Sequence, residues 1–66
     1  MTRLEKLLNN PIAYGMYKTH SLSLATQWAR EGRMWTEVIL GSDGLFWVPS
    51  TNKDVNILRR AGYSVA

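Results

Sequence analysis

The sequence predicts a small single-domain α+β fold, with two or three short helices packed on a two- or three-stranded antiparallel sheet in the order α-(α)-α-β-β-α-β. Three observations carry this. In MWTEVILGSDGLFWVPS, from Met34 to Ser50, two runs rich in β-branched and aromatic residues flank Gly41-Ser42-Asp43-Gly44, the pattern of a β-hairpin. Capping signals followed by apolar residues at helical spacing lie on both sides of that stretch. The 66 residues contain no linker, internal repeat or low-complexity segment, so residues 1–66 read as one domain.

The elements follow in order. Thr2 with Glu5 forms a capping-box pattern, and Leu4, Leu7 and Leu8 share a face of a helix from about Arg3 to Leu8 or Asn9. Asn9-Asn10-Pro11 stops it, and Pro11 can open a second turn of helix carrying Ile12, Ala13, Met16 and Tyr17. Lys18-Thr19-His20-Ser21 reads as a connector. A helix from Ser21 or Leu22 to Arg30 then aligns Leu22, Ala25, Trp28 and Ala29, with Gly32 as its left-handed C-cap. After the hairpin, Pro49 ends the second strand, because it cannot donate to a ladder. Thr51 and Asp54 suggest another capping box, opening a helix over Asp54 to Ala61 with Val55, Ile57, Leu58 and Ala61 inward. Gly62 closes that helix, and Tyr63-Ser64-Val65 predicts a short third strand.

The hairpin also predicts which residues share a side. A two-residue turn at Asp43-Gly44 and a four-residue loop over Gly41 to Gly44 give the same two sets. Met34, Thr36, Val38, Leu40, Leu45 and Trp47 face one way; Trp35, Glu37, Ile39, Phe46 and Val48 face the other. Only an odd loop or a bulge would mix them. Both sides are mostly apolar, and a two-stranded ribbon needs something packed on each.

Composition narrows the function classes. With no cysteine there are no disulfides, thiolate metal sites or cysteine nucleophiles, and the lone His20 has no second histidine to build a zinc site. No cofactor and no metal are expected. Catalysis by side chains needs a converging set of nucleophile, base and orienter, or two carboxylates in contrasting environments. One histidine and five scattered acids do not suggest either, so the chain reads as non-enzymatic, with no small-molecule substrate. Gly41-Ser42-Asp43-Gly44 lacks the Lys-Ser/Thr and the following helix of a phosphate loop. Arg3, Glu5 and Lys6 interrupt the N-terminal leucines, and no apolar run approaches the roughly 18 residues that span a bilayer. A cytoplasmic protein without a membrane partner is therefore expected. Eight Lys and Arg against five Asp and Glu give a net charge of +3, a modest basic excess that falls in the N-terminal half.

What remains is binding. The first expectation is a protein-binding or self-associating module, such as an inhibitor or accessory subunit, because so little helix must cover two apolar sides of the ribbon. Its contact surface is read as Trp35, Ile39 and Phe46, with Glu37 giving orientation and Tyr14 and Tyr17 near Lys18 extending it. Nucleic acid is the alternative partner. The segment Ala25-Thr26-Gln27-Trp28-Ala29-Arg30-Glu31-Gly32-Arg33-Met34, the hairpin, and Val48-Pro49-Ser50 with its following helix resemble the recognition helix and wing of small winged-helix, excisionase-type DNA-binding proteins. The likeness covers about a third of the chain. It implies a polar helix reading base edges and a basic wing tip touching phosphate, with Lys18, Gln27, Arg30 and Arg33 as the nucleic-acid-binding residues. The tip departs from that pattern by carrying Asp43.

Overall fold

The computed structural model describes residues 1–31 and 36–66. The expected cap Gly32, together with Arg33, Met34 and Trp35, lies outside the described residues. Three α-helices and a four-stranded antiparallel sheet make up the described part, confirming the α+β class.

Local chemistry explains the first helix. In α1, Arg3–Asn9, the Thr2 hydroxyl accepts the Glu5 N–H and the Glu5 carboxylate accepts the Thr2 N–H, so both halves of the capping box form. Pro11 then opens a single 3-10 turn, Ile12–Tyr14, in place of a further α-helical turn, and Gly15 ends it at φ +81. Next comes β1, Tyr17–Thr19, in a segment expected to be a connector. In α2, Leu22–Glu31, the Ser21 hydroxyl accepts the Leu24 N–H at 3.1 Å. Strands β2, Ile39–Leu40, and β3, Phe46–Val48, form the hairpin.

Helix α3 spans Asn52–Arg60. Here only half of the expected capping box exists: the Thr51 hydroxyl accepts the Asp54 N–H at 3.3 Å, but the Asp54 carboxylate goes elsewhere. It receives Nε and Nη2 of Arg3 at 3.1 and 3.0 Å while almost wholly buried, and so ties α3 to α1. Gly62, at φ +105, turns the chain into β4, Ser64–Val65.

The sheet order is β1-β3-β2-β4, every neighbour antiparallel. Strands β3 and β4 therefore run parallel with β2 between them, and α3 makes the crossover. Cross-strand rows follow from the register. Thr19, Phe46, Leu40 and Ser64 form one row; Lys18, Trp47, Ile39 and Val65 form the next. Successive rows point to opposite sides of the sheet.

That register corrects the predicted sets. Leu40 pairs with Phe46, which leaves the five residues Gly41 to Leu45 in the loop, an odd number. Ile39 consequently joins Trp47, and Val38 joins Val48. Leu7, Met16, Ile39, Trp47, Val55 and Leu58 form a core under α1 and α3, while Ala25, Ala29, Val38 and Val48 form a second core under α2. Helices thus cover both sides of the sheet, with α3 beside α1 and across the sheet from α2.

Candidate functional site

The loop between β2 and β3 is held by a dense set of polar bonds centred on Asp43. Oδ1 of Asp43 accepts the Leu45 N–H and the Trp47 indole N–H, both at 3.0 Å, and Oδ2 accepts Nζ of Lys18 at 3.1 Å. The Lys18 ammonium sits 4.6 Å from the centre of a Trp47 ring. Gly41 closes the loop by donating its N–H to the Leu45 carbonyl at 2.9 Å. These bonds explain the odd loop: a two-residue turn would take Asp43 away from the indole it anchors.

Desolvation by itself would push the Asp43 carboxyl up, but the Leu45 N–H, the Lys18 ammonium and the Trp47 N–H together hold it below the ordinary carboxylate value. Because the folded state lowers this pKa, its contribution to stability is complete above the unfolded carboxylate value and is lost as pH falls through the folded one. The side chain is 37% exposed, so water screens the pairing, and about 1 kcal/mol is at stake. Urea midpoints taken from pH 7 down to pH 2.5 should fall at the acid end. In Asp43→Asn the midpoint should start lower at neutral pH and lose part of that acid dependence. An unchanged profile would show that the carboxylate does not secure the loop.

The structure does not bring the predicted protein-contact residues together. Ile39 is fully buried against Trp47 on the α1/α3 side. Phe46 points the other way and packs, half-buried, on the core under α2. Of the four, only Glu37 is placed at the surface as exposed, and Trp35 lies outside the described residues. As a shared surface, Ile39 with Phe46 is therefore corrected, and the cause is the odd loop. Tyr14 packs on the first core beneath the Arg3 guanidinium, whereas Tyr17 meets the edge of Trp28 at 6.1 Å on the opposite side.

Exposed apolar side chains occur elsewhere. Leu40 and Val65 are 47% and 41% exposed at the β2–β4 end of the sheet, and Leu40 neighbours Phe46 across the hairpin. Sequence reasoning missed this end because it placed Leu40 on the same side as Trp47.

Of the predicted nucleic-acid contacts, Lys18 is engaged by Asp43, and the Gln27 amide donates to Glu31 at 3.2 Å. Arg30 is exposed, while Arg33 lies outside the described residues. Ser23, Thr26, Gln27, Arg30 and Glu31 line a shallow depression on the outer face of α2. The Thr26 hydroxyl is turned back onto the Leu22 carbonyl of its own helix at 2.8 Å. At the wing tip of the winged-helix resemblance, the Asp43 carboxylate bonds its own neighbours.

His20 is exposed. Among the described residues, no group of three or more His, Asp or Glu gathers as a metal site would require, and no helix is long and apolar enough to cross a membrane. Comparison of the chain with protein-family models, curated proteins and solved structures gives no match.

Proposed function

We propose that the protein acts by binding rather than by catalysis, and that its partner is another polypeptide, in the first instance a second copy of this chain joined through the free edge of β4. The observation that carries this reading is an uncharged strand edge flanked by exposed apolar side chains. The sheet has two edges, β1 and β4. Lys18 sits in the middle of β1, and charge on an edge discourages strand pairing. Ser64 and Val65 carry no charge and no proline; Val65 is exposed on one side of the sheet and Leu40, beside Ser64, on the other, so apolar side chains flank the edge on both sides. An antiparallel pair of β4 strands about a two-fold axis would bring the same patch of each copy together and continue the sheet across the interface.

Magnitudes set the expected strength. Burying the exposed part of Val65 in both copies contributes about 1 kcal/mol per side chain, partial cover of Leu40 adds less, and each main-chain hydrogen bond contributes about another 1. Association costs at least 4 kcal/mol in lost freedom, so the dimer is weak, in the micromolar to millimolar range.

Sedimentation equilibrium over that range should show a mass rising from the 7.5 kDa of one chain toward twice that value. In Val65→Lys and Leu40→Lys the rise should disappear while the circular dichroism spectrum is retained, since both positions are exposed. A wild-type mass that stays at one chain throughout would sink self-association, and a rise that persists in both variants would move the interface away from β4.

A further inference from the structure

The solvent face of α3 is made of basic and amide side chains. Asp54, Val55 and Leu58 of this helix are buried, and Asn52, Lys53, Asn56, Arg59 and Arg60 are exposed. At 3.6 residues per turn these five lie within an arc of about 120°. The arc holds three cations and two amides, and no acid. The one acid of α3, Asp54, points inward to Arg3.

Of the described cations outside α3, Lys18 is held by Asp43 and Arg3 by Asp54, while Lys6 and Arg30 stand apart from each other on α1 and α2. Lys53, Arg59 and Arg60 make no ion pair among the described residues, so the face displays three unneutralised cations close together.

The geometry points to a docking face for duplex nucleic acid on α3, with Lys53, Arg59 and Arg60 on phosphates and Asn52 and Asn56 on phosphate oxygens or base edges. Lys53 and Arg60 are seven residues apart, about 10 Å along the helix axis, which matches the rise of about three base pairs. Lys53 at one end of the helix and Arg59 with Arg60 at the other suit phosphates about three steps apart, and amides bond phosphate, sugar or base edges.

Other anionic partners fit less well. A helix that settles on an anionic membrane carries aromatic or large aliphatic residues on the face it buries, and this arc has none. A protein interface needs an apolar or aromatic anchor at its centre, which is also lacking. Single strands are held by aromatic stacking platforms, and no aromatic residue lies on α3. This face is separate from the β4 edge, and its role does not depend on self-association.

The test is fluorescence anisotropy with a labelled DNA duplex of about 20 base pairs, an RNA duplex and a single strand of equal length, beside co-sedimentation with phosphatidylserine vesicles. Three phosphate contacts predict a slope of about −2.7 for log affinity against log salt. That corresponds to a loss of about 40-fold between roughly 50 and 200 mM. The triple variant Lys53→Gln, Arg59→Gln, Arg60→Gln should lose most of that slope and bind at least about tenfold more weakly at low salt. Glutamine is a good helix former and the three sites are exposed, so the dichroism spectrum should be retained. Lys53→Arg should keep the slope.

A triple variant with wild-type slope would overturn the assignment of the site. Absence of salt-dependent duplex binding by the wild type, or binding confined to vesicles or to single strands, would overturn the ligand class.

Discussion

Trp47→Ala should leave the chain largely unfolded at 37 °C. This indole is 2% exposed at the centre of β3, packed at 5.0 Å and a 44° tilt against Tyr63 and hydrogen-bonded to Asp43, with the Lys18 ammonium above it. Truncating a buried aromatic to alanine costs about 3–5 kcal/mol. At about 0.05–0.15 kcal/mol per residue, a domain of 66 residues has only about 3–10 kcal/mol to lose. The variant also leaves Asp43 without one of its donors. Far-ultraviolet dichroism against urea and temperature measures the effect, and a midpoint within experimental error of wild type would mean that the first core is not organised on this ring.

Gly41→Ala is the second large effect, and it works through the same ring. A Cβ at this position would fall onto Cε2, Nε1 and Cζ2 of Trp47, too close for any side-chain carbon. Gly41 is also fixed on both sides, donating its N–H to Leu45 and accepting the N–H of Gly44, so the backbone cannot withdraw without breaking the loop. Overpacking of this kind costs about 1–3 kcal/mol. A double-mutant cycle isolates the cause: in a Trp47→Phe background the space beyond the smaller ring is vacated, and Gly41→Ala should cost about 1 kcal/mol less than in wild type. Additive costs would show that the effect does not come from the approach of residue 41 to the indole.

How far such features could be read beforehand depended on how local they are. The capping box of α1 needs only Thr2 and Glu5, three residues apart, and it forms as the sequence implies. At α3 the same pattern is half right, because the Asp54 carboxylate finds Arg3, 51 positions earlier, a partner that no local window contains. The helices and the hairpin were legible from spacing and turn residues. Strand β1 was not, since three residues are too few for alternation to register and Tyr17 to Thr19 carry no turn signal.

The candidate contact surface failed on the same distinction. Whether Ile39 and Phe46 share a side depends on the parity of the loop, and that parity is set by Asp43 reaching the indole and the ammonium of Lys18, a tertiary event. The exposed basic arc of α3, by contrast, follows from helical spacing once Val55 and Leu58 are known to face inward.

The placement of β1 beside β3 has a bearing on how the molecule assembles. Thr19 faces Phe46 across 27 intervening steps of chain, so the first strand has nothing to pair with until the ribbon that follows it exists. The sheet is therefore completed by non-local closure, which costs chain entropy that no helix of the molecule has to meet.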